Sequence, residues 1–199
     1  DVFQYHVDYE SVTWATSTMR SWLNGYDASH NTGGDSGIDY TSDNFIGTAF
    51  SAKEQTAIAE TAVVNDDNTD YNENASTDAG KDTTDRIFLL SLTETYNKKY
   101  FPNYCFSTNT AYVADGGKFG YSMYGVGESD SWWLRSPGSD QSRAAFIDWE
   151  DGSSVTDGNP VNNKEIAVRP AFNLNLSSVL FTSAAAGSKS AGANGLAAV

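Results

Sequence analysis

The sequence predicts an α+β fold: short antiparallel strands, two to three short helices and long loops. Three observations carry that expectation. Helix-start signals recur in the first hundred residues, polar stretches rich in Gly, Asp, Ser and Asn divide them, and the second half reads as short apolar runs separated by Asp-Gly pairs. A chain of 199 residues with 39% hydrophobic and 13% aromatic side chains can bury one sizeable core, so a single folded domain is expected.

Along the chain, residues 1–14 alternate apolar side chains (Val2, Tyr5, Val7, Tyr9, Val12, Trp14) with polar ones, which predicts one or two short strands. The run TSTMRSWLNG follows. Thr16 or Ser17 can cap a helix whose apolar face is Met19, Trp22 and Leu23, and Asn24-Gly25 can stop it. Residues 26–44 carry no periodicity and read as a long loop. Ser51 and Glu54 have capping-box spacing and predict a second helix, with Ile58, Ala59, Ala62 and Val63 on its inner face.

Residues 65–85 hold seven acids and one lysine and read as an exposed, solvated loop. Asp66, Asn68 and Asp70 have alternate-oxygen spacing, but Tyr71 stands where a calcium loop needs Gly and no Glu closes it, so no metal is expected. Residues 86–90 form a short apolar run suited to a buried strand, and Ser91 with Glu94 predicts a helix reaching residue 100. Further strands are expected at residues 132–135, 144–149, 153–156 and 166–172, with turns at Asp151-Gly152 and Asp157-Gly158.

A formal charge of −14 and a pI near 4.2 disfavour nucleic acid and anionic membrane surfaces as partners, because both repel such a chain. Cys105 alone allows neither an internal disulfide framework nor a thiolate zinc cluster. No apolar run approaches the roughly 20 residues that span a bilayer, so no membrane insertion is expected. The opening at Asp1 reads as a processed or trimmed segment, and residues 183–199 read as a flexible linker that something follows. The domain expected is therefore 1–182.

Nucleophilic catalysis needs an activating base and a group that orients it. The two histidines, His6 and His30, lie in a strand-like segment and a Gly-rich loop, and there is no nucleophile elbow, phosphate loop or zinc-type spacing. No enzyme and no cofactor are expected. The abundance of Tyr, Trp, Ser, Gly and Asn is instead the composition of a binding surface. Trp14, Trp22, Trp132 and Trp133 are expected in the core, whereas Trp149, between Asp148 and Glu150, can be exposed. Arg135 and Arg169 stand inside apolar runs, where an arginine must be paired; both are expected to tie strands to carboxylates or carbonyls, with ligand binding as the alternative.

The motifs STMRSWLN from Ser17, AFSAKE from Ala49, DRIFLLS from Asp85, WWLRSPG from Trp132 and VRPAFNL from Val168 resemble those of a domain common in secreted and surface proteins of gut Firmicutes. They are similar, too, to variable proteins of diversity-generating retroelements, up to about residue 182. The resemblance implies a C-type-lectin-like fold of the formylglycine-generating-enzyme type. It also implies a fixed frame (Ala144, Ala145, Gly152, Val155, Gly158, Val161) around positions reachable from a randomised Asn codon. Those positions are Ser139, Asp140, Ser142, Arg143, Phe146, Asp148, Thr156, Asp157, Asn159, Asn162 and Asn163; Trp149 joins them as a candidate contact.

The function so implied is a non-enzymatic, receptor- or adhesin-like domain, extracellular, on a cell surface or on a phage particle. It would contact a protein or glycan ligand on another cell or host surface through residues 139–166. The alternatives are an undiversified adhesion or envelope module of the same fold and a glycoside hydrolase built on loop carboxylates. The single cysteine departs from the paired cysteines of formylglycine-generating enzymes. Trp149-Glu150-Asp151 ahead of Asn159-Pro160 departs from calcium-dependent lectins, so neither activity is implied.

Overall fold

Each helix-start signal is used in the computed structural model, which describes residues 3–27, 39–72, 74–111 and 127–175. Helix α1 (Thr18–Asn24) begins where the Ser17 hydroxyl accepts the Arg20 N–H and ends at Gly25, whose φ of 71° is the left-handed cap that glycine tolerates. Helices α3 (Ala52–Gln55) and α4 (Leu92–Thr95) open on the Ser51/Glu54 and Ser91/Glu94 capping boxes. A helix that the sequence does not signal, α2 (Phe45–Ala49), follows the expected loop and starts on Asn44, whose Oδ1 accepts the Gly47 N–H. Four short helices thus replace the expected two to three among the described residues.

Two predicted helices stop early. The segment after α3 leaves the helix because Thr61–Val63 (β1) pairs antiparallel with Thr83–Asp85 (β2), a ladder that suits β-branched Thr61 and Val63. After α4, the Asn97 side chain accepts the Lys99 N–H while its carbonyl accepts from Tyr100 and Phe101, a local turn that competes with helix before residue 100. The strands predicted in residues 1–14 are also absent from the described part. Phe3, His6 and Val12 each give one backbone bond to a different segment (Ile166, Val161, Gln141), and Trp14–Thr16 is a 3₁₀ turn. Residues 86–90 and 166–172 likewise meet their neighbours through single bridges, Phe88 with Ala171 and Trp132 with Ala167.

The second sheet is a three-stranded antiparallel meander of Trp132–Pro137 (β3), Arg143–Ile147 (β4) and Ser154–Pro160 (β5), in that order. Asp151-Gly152 turns as predicted. Asp157-Gly158 does not: it lies within β5, where Gly158 has φ 75° and a Cβ would sit 2.6 Å from the Ala144 carbonyl oxygen. The pair forms a bulge, not a turn.

All six residues of β3 are buried. Trp133 joins Tyr5, Met19, Leu23, Ile87 and Ala144 in one apolar cluster, while Trp132, Leu134, Ala145 and Ile147 belong to another. Trp14 and Trp22 are buried with Trp132 and Trp133, as expected. Arg135, inside this strand, gives hydrogen bonds to the carbonyls of Leu89 and Val64 and an ion pair to Glu94. The architecture is α+β, and no helix among the described residues is long and apolar enough to cross a membrane.

The acidic stretch 65–85 is not merely solvated. Asn68 pairs with Thr77 through the backbone, and its buried amide Nδ2 lies 2.8 Å from the Pro137 carbonyl, 3.2 Å from that of Gly138 and 2.8 Å from that of Thr156. Asp85, 1% exposed, accepts from Trp14 Nε1, Arg20 Nε, the Thr83 hydroxyl and the Tyr26 hydroxyl. Truncating Asn68 strands buried carbonyls. Asn68→Ala is therefore expected to lower unfolding free energy by about 2–3 kcal/mol in a denaturant titration. A change under about 0.5 kcal/mol would mean that the stretch is a solvated loop after all.

Candidate ligand-binding surface

The β3–β4 connection is held by backbone bonds, from Gly138 N to Arg143 O, Ser139 N to Asp157 O and Arg143 N to Asp140 O. The exposed Asp140 carboxylate also accepts from both the N–H and the hydroxyl of Ser142, local contacts added to a turn that the backbone bonds already close. Because Arg143 stands opposite Pro160, the start of β4 and the end of β5 bring Asp157, Asn159 and the following Asn162 and Asn163 to the same end of the sheet. There Asp140, Asp157 and Asn162 are exposed, whereas Ser139, Ser142, Arg143, Asn159 and Asn163 are half-buried. Arg143 Nη1 donates to the Gly158 carbonyl and Asn163 Nδ2 to Asn159 Oδ1, so both side chains lie along the surface with their donors partly engaged.

The other four predicted residues are not part of this group. Asp148 and Trp149 occupy the β4–β5 turn at the opposite end of the sheet. Asp148 Oδ1 accepts from Glu150 N, and Trp149, 41% exposed, gives its backbone N–H to the Ser131 hydroxyl. In the same turn, hydrogen bonds from the Ser153 side chain and then its backbone hold the Asp151 carboxyl below its usual pKa. Thr156 is half-buried, with its carbonyl taken by Asn68. Phe146 corrects the expectation of a contact residue. It faces inward on β4, edge-on to Trp133 with ring centroids 6.4 Å apart, and packs against the first cluster.

The expected frame behaves as one unit. Ala144, Ala145 and Val161 are 0% exposed, Gly152 and Gly158 are buried, and Val155 is half-buried opposite Phe146. Space explains the small residues, since a Cβ on Gly152 would come within 3.2 Å of the Phe106 ring.

Sequence reasoning missed Tyr9 and Gln141. Tyr9, 61% exposed, has its hydroxyl 3.2 Å from that of Ser142, and Gln141 Nε2 reaches the Asp78 carbonyl. Nothing local marks Tyr9, which sits 133 residues from Ser142 in an alternation that reads as strand. Also unmarked are exposed Tyr104 and Phe106, whose rings lie 5.6 Å apart beside the β4–β5 turn. His6 is fully buried, its Nδ1 accepting the Thr18 N–H and its Nε2 bonded to Glu10, which removes it as a base for surface chemistry. His30 lies outside the described residues. No group of three or more metal-ligating side chains occurs among the described residues. Neither of two cavities of about 440 and 620 Å³ is lined by any of the predicted site residues.

The chain matches the DUF6273 family, a domain of unknown function, over residues 1–176, and it belongs to that family. No curated protein and no solved structure matches it.

The geometry separates two aromatic residues that the sequence groups together. Phe146→Ala is expected to cost about 2–3 kcal/mol, less than full core truncation because the ring is half-buried, whereas Trp149→Ala should cost under about 1 kcal/mol. Urea unfolding of both variants measures the difference; equal losses would contradict the orientation described for β4.

Proposed function

We propose that this chain is a non-enzymatic, receptor- or adhesin-like binding domain with a C-type-lectin-like fold, and that it resembles the variable proteins of diversity-generating retroelements in displaying exchangeable side chains on a fixed sheet. The observation that carries the reading is the division of labour along β4 and β5. Small frame residues are buried and locked, while Ser139, Asp140, Ser142, Asp157, Asn159 and Asn162 stand exposed or half-buried at one end of the same strands. Surface side chains of this kind change with little effect on folding, whereas frame residues do not.

The shape of the surface favours a broad ligand. It adjoins neither cavity, and it combines carboxylates, amides and hydroxyls with the exposed ring of Tyr9. Such a mixture suits a protein or glycan surface better than a small molecule enclosed in a pocket. The net charge of −14 disfavours nucleic acid. Display outside the cell or on a phage particle is part of the proposal, because a varied surface is of use where partners vary.

Reading the DNA beside the coding region tests the diversification directly. The expected result is a near-copy of the segment encoding residues 132–172, next to a reverse-transcriptase gene and differing from it at adenines. Its differences should fall on Asp140, Asp157 and Asn162 and spare Ala144, Ala145 and Val161. If no copy exists, diversification fails for this gene and the chain is an undiversified surface module.

A further inference from the structure

Arg169 poses a problem that the surface does not solve. It follows a bridge that ties Ala167 to Trp132, and its guanidinium carbon sits 4.7 Å from the centre of the Trp132 ring and 5.6 Å from that of Phe101. The Trp132 ring is fixed because its Nε1 donates to the Cys105 carbonyl at 3.0 Å. Among the described residues no hydrogen bond or ion pair reaches Arg169, and its Nη1 is buried without a partner. Ring faces offset part of the cost of desolvating a cation, but they accept no N–H in the plane of the guanidinium. Burial accordingly lowers the pKa of Arg169 from its usual value. The expectation that Arg169 ties strands to carboxylates or carbonyls is overturned, whereas Arg135 meets it with three such partners.

Arg169 lines the cavity of about 440 Å³ that opens between α1, α2 and the segments around residues 107–110 and 167–170. Much of the wall is apolar, with Trp22, Phe45, Ala49, Val168 and Pro170 beside Trp132. The size is that of a small-molecule site, and apolar walls carrying a few polar or charged groups, here with half-buried Arg169 among them, are the usual lining of such a site. Asp43 and Asp130 also line the cavity, and neither pairs with Arg169. Asp130 already accepts from Asn109 Nδ2 and from Ser131 N.

We propose that this cavity binds a small organic monocarboxylate, whose carboxylate accepts from Arg169 and whose apolar or aromatic body lies against Trp22, Phe45 and Pro170. A carboxylate supplies both the negative charge and the in-plane acceptors that a guanidinium needs. Two carboxylates in the wall repel a dianion more than a monoanion, which favours a carboxylate over a phosphate as the anionic end. None of the residues of the β3–β4 surface lines this cavity, so the site is independent of the proposed display function.

Isothermal titration calorimetry on the whole chain tests the site with phenylacetate and indole-3-acetate, each against its neutral amide. Each acid is expected to bind at least about tenfold more tightly than its amide, the worth of a charge-assisted bond to a buried group, and inorganic phosphate should not displace it. Arg169→Gln should bring the acids down to the affinity of the amides. Failure of both acids to bind at millimolar concentration would overturn the proposal, as would equal affinity for acid and amide or displacement by phosphate. Should Arg169→Gln not fold, the acid-to-amide ratio on the unaltered chain still decides.

Discussion

The structure depends on one strand being buried on both faces. Every residue of β3 is enclosed, and alternate side chains feed two separate apolar clusters, Trp133 on one side and Trp132 with Leu134 on the other. A strand in that position cannot vary, because each large side chain it lost would leave a cavity costing about 3–5 kcal/mol. It also forces its neighbour to be small. Ala144 and Ala145 on β4 face the two clusters in turn, and both are fully buried. Freedom to change is thereby pushed to the ends of the strands, where Asp140, Asp157 and Asn162 project.

The same burial sets the terms for charge. Arg135 lies within β3 and is tolerated because two carbonyls and Glu94 surround it, drawing together the segment before α4, the α4 capping box and the residue that follows β1. Arg169 stands in a similar apolar run yet finds only ring faces. Two arginines that look alike in sequence have opposite solutions, one a structural tie and the other a cation open to a ligand. Carbonyl and carboxylate partners are what separates them, and those partners come from distant segments.

That contrast explains how much was legible in the sequence. Helix starts were readable because a cap is made by residues three apart, and Ser17, Ser51 and Ser91 all cap as their spacing implies. The buried tryptophans were readable from their apolar neighbours. Helix ends were not, since β1 forms only when Thr61–Val63 meets Thr83–Asp85, and the caps carry no word of that pairing. Asp157-Gly158 resembles a turn locally, but it lies in a bulge of β5, where the close Ala144 carbonyl leaves no room for a Cβ and so requires glycine. Composition misled most at residues 65–85, where an acidic stretch hides Asn68 and Asp85, two polar groups that the core requires. Of the candidate site, the small buried residues of the frame and the Asp151-Gly152 turn were legible; the inward turn of Phe146 and the contribution of Tyr9 were not.

The central claim is that a rigid frame and an exchangeable surface share the same strands. A saturating substitution scan of residues 132–172, scored for folded protein by protease resistance, tests it most directly. The account predicts that Asp140, Asp157 and Asn162 accept nearly every side chain, while Trp133, Ala144, Gly158 and Val161 accept almost none. A scan in which the two sets tolerate substitution equally would contradict it.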